Sequence, residues 1–113
     1  MSAENNDHNT QEQELWERMS TTDGAERAEV LDELSHIAYK KENYIECLQL
    51  VDTSIDLYFT LGGADNYLKE LIHLYQGKTY CLEHLKRFEE AAEMFEELAK
   101  LHYLDQDEHG QLC

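Results

Sequence analysis

The sequence predicts an all-α fold made of antiparallel helix pairs, and three observations support this prediction. The 113 residues include no proline and five glycines, a composition that favours long helices joined by short turns. Apolar residues recur at intervals of three and four along most of the chain, which is the period of an amphipathic helix. Two stretches, 39–47 and 83–91, each have the pattern of a helix end, a polar turn and a new helix start.

A short leader helix is predicted over residues 10–20. It follows a polar segment, residues 1–9, that lacks apolar residues to anchor it and is expected to be disordered. Thr10 begins a capping-box pattern at the start of this helix. Leu15 and Trp16 lie on its apolar side, so we expect the leader helix to cover the outer face of the first long helix pair.

The first long helix pair is predicted over residues 24–62. Asp23 and Glu26 fit a capping box at the start of its first helix, and Asn43 and Glu46 fit another at the start of its second. Two adjacent glycines end the second helix.

The second long helix pair is predicted over residues 65–104. Asp65 is the expected N-cap of its first helix, and its second helix begins near Phe88. Residues 105–113 are expected to form either a tail or the start of a further, truncated helix.

The two pairs align when the chain is shifted by 44 residues. Large residues then fall on large ones and small on small, as in Leu31 with Tyr75, Ser35 with Thr79, Tyr44 with Phe88, Cys47 with Ala91, and Val51 with Phe95. The clear exception is Leu34, which falls on Lys78. This self-similarity predicts one structural unit used twice.

The pattern resembles the tetratricopeptide repeat. In that family the second helix of a unit opens with an aromatic residue, and a small residue follows three positions later, as at Tyr44 and Cys47 and at Phe88 and Ala91. The 44-residue period exceeds the usual period of about 34 residues, so the resemblance is to variants with longer helices. It implies a short right-handed solenoid of stacked helix pairs, and a plain four-helix bundle is the alternative.

The resemblance also implies a non-catalytic scaffold that binds a protein or peptide in a concave groove. In the family, the first helix of each pair lines that groove. Carried onto this chain, the partner-binding positions are Glu29, Asp32, Glu33, His36, Tyr39, Lys40, His73, Gln76, Tyr80, Glu83 and His84. The two tyrosines suit this role because they offer apolar area and a hydrogen bond at low entropic cost.

The charge of the chain narrows the choice of partner. Its 25 acidic and 9 basic residues give a net charge of −16. Such a chain repels nucleic acid phosphates and anionic lipids, so neither is expected as a direct partner, and a basic protein or peptide is favoured. Two alternatives stay open: a homodimer with a structural role, and an acidic inhibitor that mimics nucleic acid to occupy a DNA-binding protein.

No pattern in the sequence predicts catalysis or a cofactor, because no nucleophile turn or distinct carboxylate pair is present. Cys81 and His84 have the spacing of metal ligands, but no second pair completes a structural zinc site, so no metal is expected. The odd number of cysteines favours reduced thiols, and the N-terminus has no secretory pattern. The cytosol is therefore the expected compartment.

Overall fold

The computed structural model describes the backbone of residues 3–108 and the side chains of residues 10–106. This part of the chain contains five α-helices and no strand, which confirms the predicted all-α class. The helices are α1 (Ala3–Met19), α2 (Gly24–Lys40), α3 (Tyr44–Thr60), α4 (Ala64–His84) and α5 (Phe88–Glu108). Each helix packs against the next one along the chain. The radius of gyration, 15.5 Å, exceeds the value of about 13 Å for a compact domain of this length.

The turns after α2 and α4 have the same backbone geometry. Glu42 and Lys86 occupy equivalent positions 44 residues apart, and each has a φ of +61°. The backbone N–H of the following residue, Asn43 or Arg87, donates to the carbonyl oxygen five residues earlier at 2.9 and 2.8 Å. This is the Schellman arrangement, which satisfies carbonyl groups at a helix end. The turns that mark the sequence repeat are therefore structurally equivalent.

The predicted helix caps are correct in part. Asn43 caps α3, because its side chain accepts from the backbone N–H of Glu46 at 3.4 Å and donates to the carboxylate of Glu46 at 2.9 Å. Asp23 is the N-cap of α2, but its side chain makes no capping hydrogen bond. The assignment of Asp65 is wrong: Gly63 is the N-cap of α4, and Asp65 lies in the first turn.

The leader helix α1 is longer than predicted. It begins at Ala3 instead of Thr10, so residues 3–9, which were expected to be disordered, belong to the helix. No proline or glycine interrupts this stretch, and a helix that is already formed extends at little cost. Leu15 is buried, whereas 44 % of Trp16 is exposed. Leu15, and not Trp16, therefore joins the core through the packing of α1 on α2.

The last helix also differs from the prediction. Helix α5 continues to Glu108, so residues 105–108 extend the second pair and are neither a tail nor a new helix. Residues 109–113 lie outside the described part of the chain. Phe95, expected from the repeat to match the buried Val51, is more than half exposed, as are Phe88 and Tyr103 on the same helix. The reason is that α5 packs on α4 and is followed by no further described helix.

The packing of α2 on α3 depends on small residues. Ala28 and Ser54 are completely buried, and the Ser54 hydroxyl donates to the carbonyl oxygen of Ala28 at 2.9 Å.

Lys78, the exception in the repeat alignment, is accommodated by an ion pair. Its ammonium lies 2.8 Å from the carboxylate of Asp52 on α3, and its side chain stays partly exposed.

The connection between α3 and α4 requires glycine. Gly62 has a φ of +133° and Gly63 a φ of +65°, values that residues with a Cβ atom rarely adopt. A Cβ atom at Gly62 would also overlap the side-chain amide of Asn66. The helix stop predicted from the two glycines is confirmed, since α3 ends at Thr60.

Two cysteines meet in the core between α3 and α4. Cys47 and Cys81 are buried free thiols, and a thiol–thiol hydrogen bond joins their sulfur atoms at 3.0 Å. This hydrogen bond and burial raise the pKa of Cys47, whereas the same hydrogen bond lowers the pKa of Cys81. Because both side chains are buried, they pack in the core as small apolar residues.

Candidate functional site

Helices α2 and α4, the first helices of the two units, meet through their side chains. Helix α3 packs against both of them and holds them side by side. Nε2 of His36 lies 3.1 Å from Nε2 of His73, and Oη of Tyr39 lies 3.1 Å from Nε2 of His84. These contacts join residues 37 and 45 positions apart in the chain. Predicted groove residues from both units therefore share one surface.

A cavity of about 310 Å³ opens on this surface. Its buried lining residues are Ser35, Cys47, Val51 and Leu74, which make its floor largely apolar. Gly77 of α4 also lines the cavity, and polar and aromatic side chains of α2 and α4 form its rim: Asp32, His36, Tyr39, Lys40, His73, Gln76 and Tyr80. This volume is at the lower end of the range for ligand pockets, which suits one or two side chains of a partner.

An aromatic cluster stands beside the cavity at the turn between α2 and α3. The rings of Tyr44 and His84 are stacked, with centroids 4.2 Å apart, and the ring of Tyr39 meets both edge-on. Burial raises the pKa of Tyr39 above its usual value of 10.0, and its phenol stays neutral at physiological pH. The turn aromatic Tyr44 thus helps to position Tyr39 at the rim.

Asp32 lies between the two histidines of the rim. Its Oδ1 is 3.3 Å from Nε2 of His36, one turn further along α2, and its Oδ2 is 3.4 Å from Nε2 of His73 on α4. The two imidazole rings are stacked, with centroids 5.2 Å apart and an interplanar angle of 19°. One oxygen and two nitrogen donors therefore converge from two helices.

The structure separates the eleven predicted site residues into two groups. Seven of them line the cavity: Asp32, His36, Tyr39, Lys40, His73, Gln76 and Tyr80. His84 contacts Tyr39 instead, and Glu29 borders a neighbouring groove together with Asp32 and His73. Glu33 and Glu83 are exposed and line neither depression. Among the lining residues, Asp32 is the one carboxylate and Lys40 the one ammonium, so the cavity is less acidic than the chain as a whole, whose net charge is −16.

Two features of the site are not predicted by the sequence. The buried floor residues have the periodicity of core positions, and no local signal shows that a gap remains above them. The other is the cluster of Asp32, His36 and His73. Cys81 and His84, whose spacing is that of metal ligands, do not form a pair, because Cys81 contacts Cys47 and His84 stacks on Tyr44. The spacing of Asp32 and His36 by four residues was the available signal, since such residues share one helix face.

No protein-family model matches this chain, and searches of curated proteins and of solved structures found no match either. Within residues 3–108, no helix is both long enough and apolar enough to cross a membrane.

Proposed function

We propose that this protein is a non-catalytic scaffold of the tetratricopeptide type, which binds a peptide segment of a partner protein in the cavity between α2, α3 and α4. One observation carries the proposal. Helices α2 and α4, one from each unit, present corresponding faces to a single cavity. Their side chains are in contact there, although the contacting residues are 37 and 45 positions apart in the sequence. If these polar faces were only solvated surfaces, their side chains would not be expected to surround a common cavity with a buried apolar floor.

The order of packing supports stacked helix pairs over a closed bundle. Contacts run from α1 to α5 in chain order, and the radius of gyration exceeds that of a compact domain. In a closed four-helix bundle, the first and last long helices, α2 and α5, would also pack extensively. A repeat stack instead leaves the outer face of its final helix open, as on α5.

The lining determines which peptide fits best. An apolar or aromatic side chain would cover Val51 and Leu74 on the floor and remove apolar surface from water. The rim offers phenol, imidazole and amide groups that hydrogen-bond to a peptide backbone. The charge of −16 attracts lysine and arginine on either side of that anchor. The proposed ligand is therefore a peptide with one large apolar residue flanked by basic residues.

The experiment is selection of peptides from a displayed random library on the purified full chain. Selected sequences are then synthesised and titrated by fluorescence polarisation in a buffer containing a chelator. We expect Tyr80→Ala to weaken binding by roughly 30-fold, the usual loss at a central aromatic contact. Tyr103→Ala is the matched control, because both tyrosines are more than half exposed and Tyr103 does not line this cavity.

Two results would count against the cavity as the binding site. One is a library that yields no enriched sequence pattern on the wild-type chain. The other is a selected peptide that binds Tyr80→Ala as tightly as it binds the wild type. Equal losses in Tyr80→Ala and Tyr103→Ala would likewise point to a surface other than the cavity.

A second candidate function is self-association through α5, and the exposed aromatic residues of that helix favour it. Phe88, Phe95 and Tyr103 lie within one stripe of α5 and are 62 %, 55 % and 61 % exposed. In a two-fold dimer, the stripe would pair with the same stripe of a second copy. The charge of each chain opposes this contact, so added salt should strengthen the dimer by screening the repulsion.

Sedimentation equilibrium at low and high salt tests self-association. We expect a dimer that dissociates in Phe95→Ser, and a wild-type chain that stays monomeric up to about millimolar concentration would exclude it. The nucleic-acid mimic has no comparable observation in its favour. A protein that mimics nucleic acid needs its carboxylates ordered along one surface, whereas acidic residues of this chain occur in all five described helices.

A further inference from the structure

We propose that Asp32, His36 and His73 form a binding site for a divalent transition-metal ion, with Zn²⁺ as the reference ion. The donor atoms lie close to the spacing that such an ion requires. A tetrahedral zinc ion with ligand bonds of 2.0–2.1 Å separates its donors by about 3.3 Å. The two Nε2 atoms are 3.1 Å apart, and the two oxygens of Asp32 lie 3.3 Å (Oδ1) from His36 and 3.4 Å (Oδ2) from His73. One ligand atom from each residue lies within 4.8 Å of the other two.

Protons alone do not satisfy these three contacts. If both Nε2 atoms carry hydrogens, each N–H reaches its own oxygen of Asp32, but the two donor nitrogens then lie side by side at 3.1 Å with no hydrogen bond between them. If only one carries a hydrogen, the other imidazole presents a lone pair to a carboxylate oxygen that also has only lone pairs. A cation placed among the three groups interacts favourably with each of them. The convergence of the donors therefore fits a metal ion better than a hydrogen-bonded cluster.

The donor types define the class of metal. Two imidazole nitrogens and one carboxylate oxygen suit Zn²⁺ and its neighbours Co²⁺, Ni²⁺ and Cu²⁺. Calcium and magnesium prefer sites made entirely of oxygen ligands. The ligand set has one negative charge, and the net charge of −16 attracts cations from solution.

The site would connect the two repeat units. Asp32 and His36 are one turn apart on α2, whereas His73 comes from α4, so a bound ion would link the first helix of one unit to that of the next. Three protein ligands leave at least one coordination position open, and all three residues line the cavity. That position would hold a water molecule or a donor group from whatever occupies the cavity. The proposal does not depend on peptide binding, since it concerns the ion and this chain alone.

The test is calorimetric titration of the full chain with Zn²⁺ after removal of metal with EDTA. We expect one ion per chain, and His36→Gln and His73→Gln should each weaken binding by at least about tenfold. Asp32→Asn, which preserves the shape of the side chain, should also weaken it. His102→Gln is the matched control, because it removes an exposed imidazole outside the cluster, and it should bind as the wild type does.

Two further measurements separate loss of a ligand from loss of the fold. Far-UV circular dichroism and thermal melting without metal should be the same for wild type and variants, because both histidines are about half exposed. At Zn²⁺ one hundred times above Kd, the wild-type melting temperature should rise by about 10 °C, and that of His73→Gln should rise far less. All proteins have His8 and His109 replaced by glutamine, so that these two imidazoles do not contribute.

The proposal is overturned if Zn²⁺ binds the His36→Gln and His73→Gln variants as tightly as the wild type, or if no binding is detected. Peptide binding is measured with chelator present, so a failure of the metal site leaves that result unaffected. Conversely, Zn²⁺ binding that persists when no peptide is found supports the metal site alone.

Discussion

The equivalent turns after α2 and α4 lead to a prediction about stability. Glu42 and Lys86 each hold a φ of +61°, a conformation that costs a residue with a Cβ atom about 1–2 kcal/mol. Glycine avoids that cost but loses about 0.5–1 kcal/mol of additional chain entropy on folding. Each turn should therefore be about 0.5–1 kcal/mol more stable with glycine than with alanine.

The opposite charges of these two residues provide an internal control. Replacing Glu42 removes one negative charge from a strongly acidic chain, whereas replacing Lys86 removes a positive one. The two substitutions to alanine should therefore change stability in opposite directions. The glycine and alanine variants at one position have the same charge, so the difference between their free energies of unfolding contains no charge effect. This difference should be the same at both turns because their geometry is the same.

The assay is urea unfolding followed by circular dichroism, with thermal melting as a second measure. A gain of 1 kcal/mol corresponds to a rise of about 4–8 °C in the melting temperature of a domain close to this size. The reasoning is refuted if glycine and alanine are equally stable at either position. It also fails if the glycine-minus-alanine difference has opposite signs at the two turns, because the turns would then not be structurally equivalent.

Three further predictions concern the core and the glycines. Cys47 and Cys81 should remain unmodified when the native protein is treated with iodoacetamide, because both thiols are buried. Both should be modified in the unfolded protein, as peptide mapping would show. Burial raises the pKa of Tyr58 to about 12, so the folded state keeps this proton between pH 10 and 12 where the unfolded state loses it. The contribution of Tyr58 to the free energy of unfolding is therefore present below pH 10 and decreases as the pH rises towards 12. When the free energy of unfolding is measured by urea unfolding between pH 10 and 12, Tyr58→Phe should show a smaller decrease than the wild type. Gly62→Ala should cost about 1–3 kcal/mol through strain and overlap, whereas Gly77→Ala, which has open space within a helix, should gain about 0.5–1 kcal/mol in the same assay.

The helix boundaries of the two units were predictable because their signals are local. The turn at Asn43 combines a capping side chain with a helix end, and its counterpart at Arg87 repeats the pattern at the same spacing. The errors at Ala3 and Glu108 have a shared cause. Residues 3–9 and 105–108 contain no proline or glycine that would stop a helix, so the helix length there is set by a balance of small propensities and no single residue within these stretches marks a boundary.

The burial of individual residues was less predictable where neighbouring helices decide it. Phe95 occupies the position equivalent to Val51, yet Val51 is buried and Phe95 is exposed on α5, which no further helix of the described residues covers. The side chains alone do not distinguish these positions, because burial depends on whether another helix follows. For the same reason, the sequence did not predict the gap above Val51 and Leu74 that forms the cavity.

The sequence by itself determined the all-α class, the 44-residue repeat, the paired turns and the polar faces of the first helices, because each depends on periodicity and local backbone chemistry. Only the tertiary structure decided which of those polar residues meet. Asp32, His36 and His73 converge because α3 holds α2 beside α4, whereas Glu33 and Glu83 remain apart from the cavity. Convergence of side chains from separate helices depends on the distance and rotation between those helices, and these are set by packing across the whole core.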